Sequence, residues 1–155
     1  MKLKDLSLGV KIAFLWFYLL SVLGFFFAFL IVEYTVGHIP MENFLQRLVD
    51  YYKGNPEGMM FGKSNLEIAE ISHFHSFISA VVLFIISFFF SYSNMKSNIK
   101  IAVINLTFFG ILIFVLSPWI VKFLPSLAFL KPLSSLLFVP GTLFMGIKVL
   151  KDMFL

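Results

Sequence analysis

Residues 64–92 read SNLEIAEISHFHSFISAVVLFIISFFFSY, and this stretch decides the fold. Ser64-Asn-Leu-Glu67 has the form of a capping box, in which the Ser64 hydroxyl accepts from a backbone N–H three residues on and Glu67 reaches back. No proline or glycine follows until Gly110, so the sequence predicts one helix from Asn65 to about Tyr92. At 1.5 Å per residue that helix is roughly 42 Å long, against a hydrocarbon core of about 30 Å. About two turns, carrying Glu67, Glu70 and His73, therefore belong to the headgroup region or above it.

The positions on this helix also set its chemistry. At about 100° per residue, Glu70 and His73 lie about 60° apart and can share one target, whereas His73 and His75 lie about 160° apart and face different neighbours. Ser72, Ser76, Ser79, Ala80, Ser87 and Ser91 form a stripe of small residues, which lets another helix approach closely in lipid.

Outward from this stretch, the chain repeats the pattern. Uncharged, apolar runs place membrane spans at about 12–32, 71–92, 100–117 and 133–150 within a single domain of 155 residues. Hydrophobic residues make up 60% of the chain and the mean hydropathy is +0.97, more than a soluble core requires. The first span ends in Val32-Glu33-Tyr34 without a small-x-small cleavage pattern, so it reads as an uncleaved anchor. Between the first two spans lies a polar connection, residues 34–63. Within it Met41, Phe44, Leu45, Leu48, Val49 and Tyr52 recur at helical spacing, with Glu42, Asn43, Gln46, Arg47, Asp50 and Lys53 on the other face. Pro40 suits the first turn of that helix and Gly54 its end, and Gly54-Asn-Pro-Glu-Gly58 is turn chemistry. Ser117-Pro118-Trp119 marks a membrane interface, and Pro140 should kink the last span. The expectation is an all-α integral membrane four-helix bundle with a short extracytoplasmic amphipathic helix.

Four spans put both termini on one side. Lys2, Lys4, Lys11, Lys96, Lys100, Lys148 and Lys151 lie there, against Arg47, Lys53, Lys63, Lys122 and Lys131 opposite. That bias points to cytoplasmic termini in a bacterial inner membrane, with all three histidines at the outer face. The lysines flank apolar spans, so the net charge of +4 reflects headgroup anchoring and not nucleic acid. The absence of cysteine excludes thiolate metal sites, covalent c-type haem and cysteine nucleophiles.

Glu70-x-x-His73 has the i, i+3 spacing of carboxylate-bridged di-metal sites, but no acidic residue lies between Ile71 and Leu150 to complete one. A single transition metal held by His73, His75, Glu70 and His38, with Glu67 in support, is one reading. Haem b with axial ligands drawn from His38, His73 and His75 is another. Structural readings stand beside both: interfacial histidines that only hydrogen-bond, acidic residues that only complement a helix N-terminus, and serines that only pack. No catalytic group is identified, and an independent enzyme is the least favoured class.

His73-Phe-His75-Ser-Phe-Ile-Ser resembles the His-Phe-His segment of subunit I of the haem–copper oxidases. There, two histidines separated by one residue face opposite sides of a helix and ligate two different haems. The resemblance covers about seven residues, without that family's copper ligands, cross-linked tyrosine or twelve spans. Glu70-x-x-His73-x-His75, the four spans and the Pro-Ser-Leu-Ala-Phe-Leu connection resemble a family of small uncharacterised bacterial inner-membrane proteins. The small-protein family implies no established activity. The preferred reading of the residues is a metal- or haem-binding accessory or electron-transfer component of a respiratory system, with His73 and His75 as principal ligands. The alternative is a cofactor-free structural or assembly subunit of a larger membrane complex. Its partners would be the bilayer and such a complex, or further copies of the chain.

Overall fold

The computed structural model describes residues 2–36 and 43–155, without the side chains at 29 and 32–36. Four long helices dominate: α1 (Leu8–Val36), α3 (Asn65–Ser91), α4 (Ser97–Phe123) and α5 (Leu130–Phe154). Each contains a segment long and apolar enough to cross a membrane. The short helix α2 (Phe44–Lys53) and a two-strand hairpin, β1 (Gly54–Asn55) with β2 (Met60–Phe61), join α1 to α3. Large apolar side chains on the outer surface, among them Trp16, Leu20, Phe77, Phe84 and Ile147, face outward and require lipid around them. The chain is an all-α integral membrane four-helix bundle.

The capping box forms as the sequence dictates. The Glu67 amide donates to Ser64 Oγ at 3.2 Å, and the Ser64 amide donates to Glu67 Oε2 at 2.7 Å. Replacing Ser64 by alanine should lower unfolding stability by about 1 kcal/mol, read from the thermal midpoint in detergent. An unchanged midpoint would mean that packing alone fixes the start of α3.

The tightest contact is between α4 and α5. A Cβ on Gly110 would stand 2.9 Å from both the Leu137 Cβ and the Phe138 backbone nitrogen, and one on Gly141 would collide with the Thr107 hydroxyl. These two glycines let the helix backbones approach, as small residues do in membranes. Helix α4 continues past the expected end of its span, through Pro118 to Phe123. Proline deprives the carbonyl four residues earlier of its helical donor. Here the Ser117 hydroxyl donates to that oxygen, on Phe114, at 2.7 Å. Helix α5 likewise runs unbroken through Pro140.

Helix α1 joins through Tyr18, whose ring lies over Gly146 and whose hydroxyl donates to the Leu143 carbonyl at 2.9 Å. A core of Phe14, Leu83, Ile86, Phe90, Met145 and Val149 fills the half of the bundle nearer the termini. A second, smaller cluster of Leu48, Tyr52, Ile68, Val121 and Ala128 seats α2 on the opposite end, which we term the cap end.

Two local readings need adjustment. Asp50, expected on the polar face of α2, is buried, with Gln46 Nε2 donating to one carboxylate oxygen at 2.9 Å and Asn55 Nδ2 donating to the other at 3.4 Å. The serine stripe divides: Ser72 and Ser87 turn toward the bundle, while Ser76, Ala80 and Ser91 are exposed. The inward face of α3 follows Ile68, Ser72, Ser79, Leu83, Ile86 and Phe90, and large residues set it as much as small ones do.

Candidate functional site

Residues from all four long helices line a cavity of about 480 Å³ in the cap-end half of the bundle. Its two walls are the small residues Ser21, Gly24 and Ala28 of α1 and the face His75, Ile78, Ser79 and Val82 of α3, with Phe114 of α4 and Phe138 of α5 behind. The small α1 side chains leave a gap where a larger residue would have closed α1 onto α3. A Cβ on Gly24 meets nothing within 4 Å.

His75 is the one ionisable side chain on this wall. Its Nδ1 lies 2.7 Å from the carbonyl oxygen of Ile71, one turn back on the same helix. A carbonyl can only accept, so Nδ1 carries the proton in the neutral ring and Nε2 keeps its lone pair. Nε2 lies on the far side of the ring from that carbonyl. This is the arrangement in which imidazole ligates metals, one nitrogen donating to a backbone oxygen and the other free to bind. The ring also packs against Phe114, with centroids 5.7 Å apart, and Phe114 packs edge-on to Phe138 at 5.1 Å. One turn deeper, Ser79 Oγ lines the same wall without a hydrogen bond among the described residues.

Above the cavity, α3 and α4 are tied by polar contacts. Ser72 Oγ donates to the Val115 carbonyl at 3.2 Å and accepts from Trp119 Nε1 at 3.1 Å. Lys122 Nζ donates to the Lys63 carbonyl and to Asn65 Oδ1, fixing the start of α3.

The remaining sequence candidates are scattered. Glu67 belongs to the helix cap and accepts from Lys63 Nζ at 2.9 Å. That hydrogen bond, with Glu67's charge, holds the Lys63 ammonium above the usual lysine value. The raised value makes its stabilising effect complete at neutral pH, lost only as pH climbs through the lysine range. Glu70 and His73 are exposed, away from the cavity. His38 lies outside the described residues. Among the described residues, no three His, Asp or Glu side chains come together as a metal site. The face arithmetic separating His73 from His75 holds, and it sends only His75 inward. What the sequence reading missed is the rest of the wall: Ser21, Gly24 and Ala28 on α1, and Phe114. Their small-residue i, i+3, i+7 spacing on α1 was the available signal.

The match with a known family covers residues 42–155 and is described as a transmembrane helical domain (Aq_1264_TM). It includes every described cavity residue except those of α1. No curated protein and no solved structure matches the chain.

Proposed function

The chain belongs to that family of transmembrane helical domains, and we propose that its lateral cavity holds haem b with His75 Nε2 as an axial ligand. The observation that carries this reading is the Nδ1–H bond from His75 to the Ile71 carbonyl beside an apolar cavity. A bare transition metal needs three or four protein donors, and among the described residues the cavity offers one imidazole. Haem brings four nitrogens of its own and asks the protein for only one or two. The cavity volume of about 480 Å³ falls within the usual range for a cofactor pocket, about 300–1,000 Å³. The aromatic lining would flank a flat macrocycle and exclude water from it. His73, turned the opposite way, is left for a second group outside the bundle, as the likeness to the oxidase segment implies. His38 stays the sequence's candidate for the opposite axial position. In this reading the protein is an accessory or electron-transfer component of a respiratory system, facing outward at its cap end, with both termini in the cytoplasm of a bacterial cell.

The test is the absorption spectrum of the full chain, purified in mild detergent from cells supplied with a haem precursor, with metal analysis. A Soret band with about one iron per chain is expected, lost in His75→Ala and retained in His73→Ala. A colourless wild-type protein after reconstitution with haemin would overturn the reading. If that protein also co-purified with a fixed partner, the cofactor-free structural or assembly subunit would replace it.

A further inference from the structure

Lys131, the second residue of α5, lies at the cap end with its ammonium 3.7 Å from the centre of the Phe114 ring and 5.9 Å from that of Tyr52. Among the described residues its ammonium makes no hydrogen bond or ion pair; its backbone amide donates to the Ala128 carbonyl, and its carbonyl accepts from the Ser134 and Ser135 hydroxyls. Among the described residues, the acidic side chains named at the cap end are engaged or exposed. Glu67 is held by Lys63 and the helix cap, Asp50 by Gln46 and Asn55, and Glu70 is exposed. Tyr52 cannot serve as an anion, because burial, with the neighbouring Tyr51, pushes its hydroxyl well above the usual phenol value. A partly buried ammonium with only two ring faces for company lacks the anion that would compensate its desolvation. The ring it stands on is the same Phe114 that lines the cavity and packs against His75.

From this juxtaposition we infer that Lys131 is the anion-binding group of the cavity, and that the cavity's ligand is a carboxylate-bearing apolar molecule oriented with its acid toward the cap end. The inference builds on the cavity being a binding site but not on haem being its occupant. A haem propionate and the head of a fatty acid share the required chemistry. Lys131 stands beyond the Phe114 ring and outside the cavity lining, so the ligand's acid must extend past that ring to meet the ammonium while the cavity takes its apolar body.

The test uses cis-parinaric acid and its methyl ester as fluorescent probes, titrated into the full chain in nonionic detergent. The wild-type protein should bind the acid at least tenfold more tightly than the ester. Lys131→Gln should erase that preference and Lys131→Arg should keep it. Equal binding of acid and ester by the wild type, or an undiminished preference in Lys131→Gln, overturns the inference. If Lys131→Gln does not fold, the wild-type acid-to-ester ratio decides alone. Colourless protein that prefers the acid defeats the haem reading only. A Soret band without that preference defeats this inference only.

Discussion

A Gly110→Val chain should lose about 10 °C of thermal midpoint, while Gly9→Val should lose nothing measurable. The Cβ added at Gly110 stands 2.9 Å from the backbone nitrogen of Phe138. Backbone inside a helix cannot swing aside as a side chain can, so α4 and α5 must part. Overpacking of this kind costs about 1–3 kcal/mol, and an immovable partner places Gly110 at the upper end. For a chain of this size each kcal/mol shifts the midpoint by about 2–4 °C. Gly9, on the surface of α1, has nothing within 4 Å and controls for the substitution itself. Phe138 is also the back wall of the cavity, so ligand binding should fall in Gly110→Val together with stability. A midpoint within 2 °C of wild type would mean that the α4–α5 contact is not as close as described.

Gly24→Phe separates those two effects. Gly24 lines the cavity from α1 and has open space where its Cβ would be, so a benzyl group can enter without displacing backbone. The midpoint should stay within about 2 °C of wild type, or rise slightly as apolar surface is covered. Occupancy should collapse, because an added aromatic ring takes a large share of a 480 Å³ cavity and crosses the path to His75. We expect at least a tenfold loss of both the Soret signal and parinarate binding. Unchanged binding with unchanged stability would show that no ligand enters between α1 and α3. Read together, the two glycine variants distinguish a binding defect from a folding defect, which neither His75→Ala nor Lys131→Gln does alone.

The helix that carries His75 was legible residue by residue, the rest of the cavity was not, and the difference has a physical explanation. The capping box, the uninterrupted run to Ser91 and the opposed directions of His73 and His75 follow from local rules of one helix. Such rules say which way a side chain leaves its own axis. They do not say what it meets. His73, His75, Glu70, His38 and Glu67 were the candidate ligands, four of them close in sequence, yet the group that orients His75 is the Ile71 carbonyl one turn back, which accepts from its Nδ1–H, and its surroundings come from three other helices. Lys131 had no identifiable neighbour in the sequence because its contacts, Phe114 and Tyr52, are 17 and 79 residues away along the chain. Asp50 illustrates the reverse: the amphipathic helical spacing placed it outward, and two amide side chains instead hold it inside.

By itself, then, the sequence determined that four apolar helices cross a bilayer and that an amphipathic helix covers one end. Length and hydropathy are sufficient for that, since lipid leaves a spanning chain no way to satisfy its backbone except by helix or closed barrel. Tertiary structure alone decided where the bundle is dense and where it is open. Gly110 and Gly141 bring α4 and α5 into contact, whereas Ser21, Gly24 and Ala28 leave α1 standing off α3. The same small residues close one interface and hollow another, because what a missing side chain does depends on whether the facing helix advances into the space. That choice is made by the packing of all four helices at once, and it turns His75 from one interfacial histidine among three into the wall of a cavity.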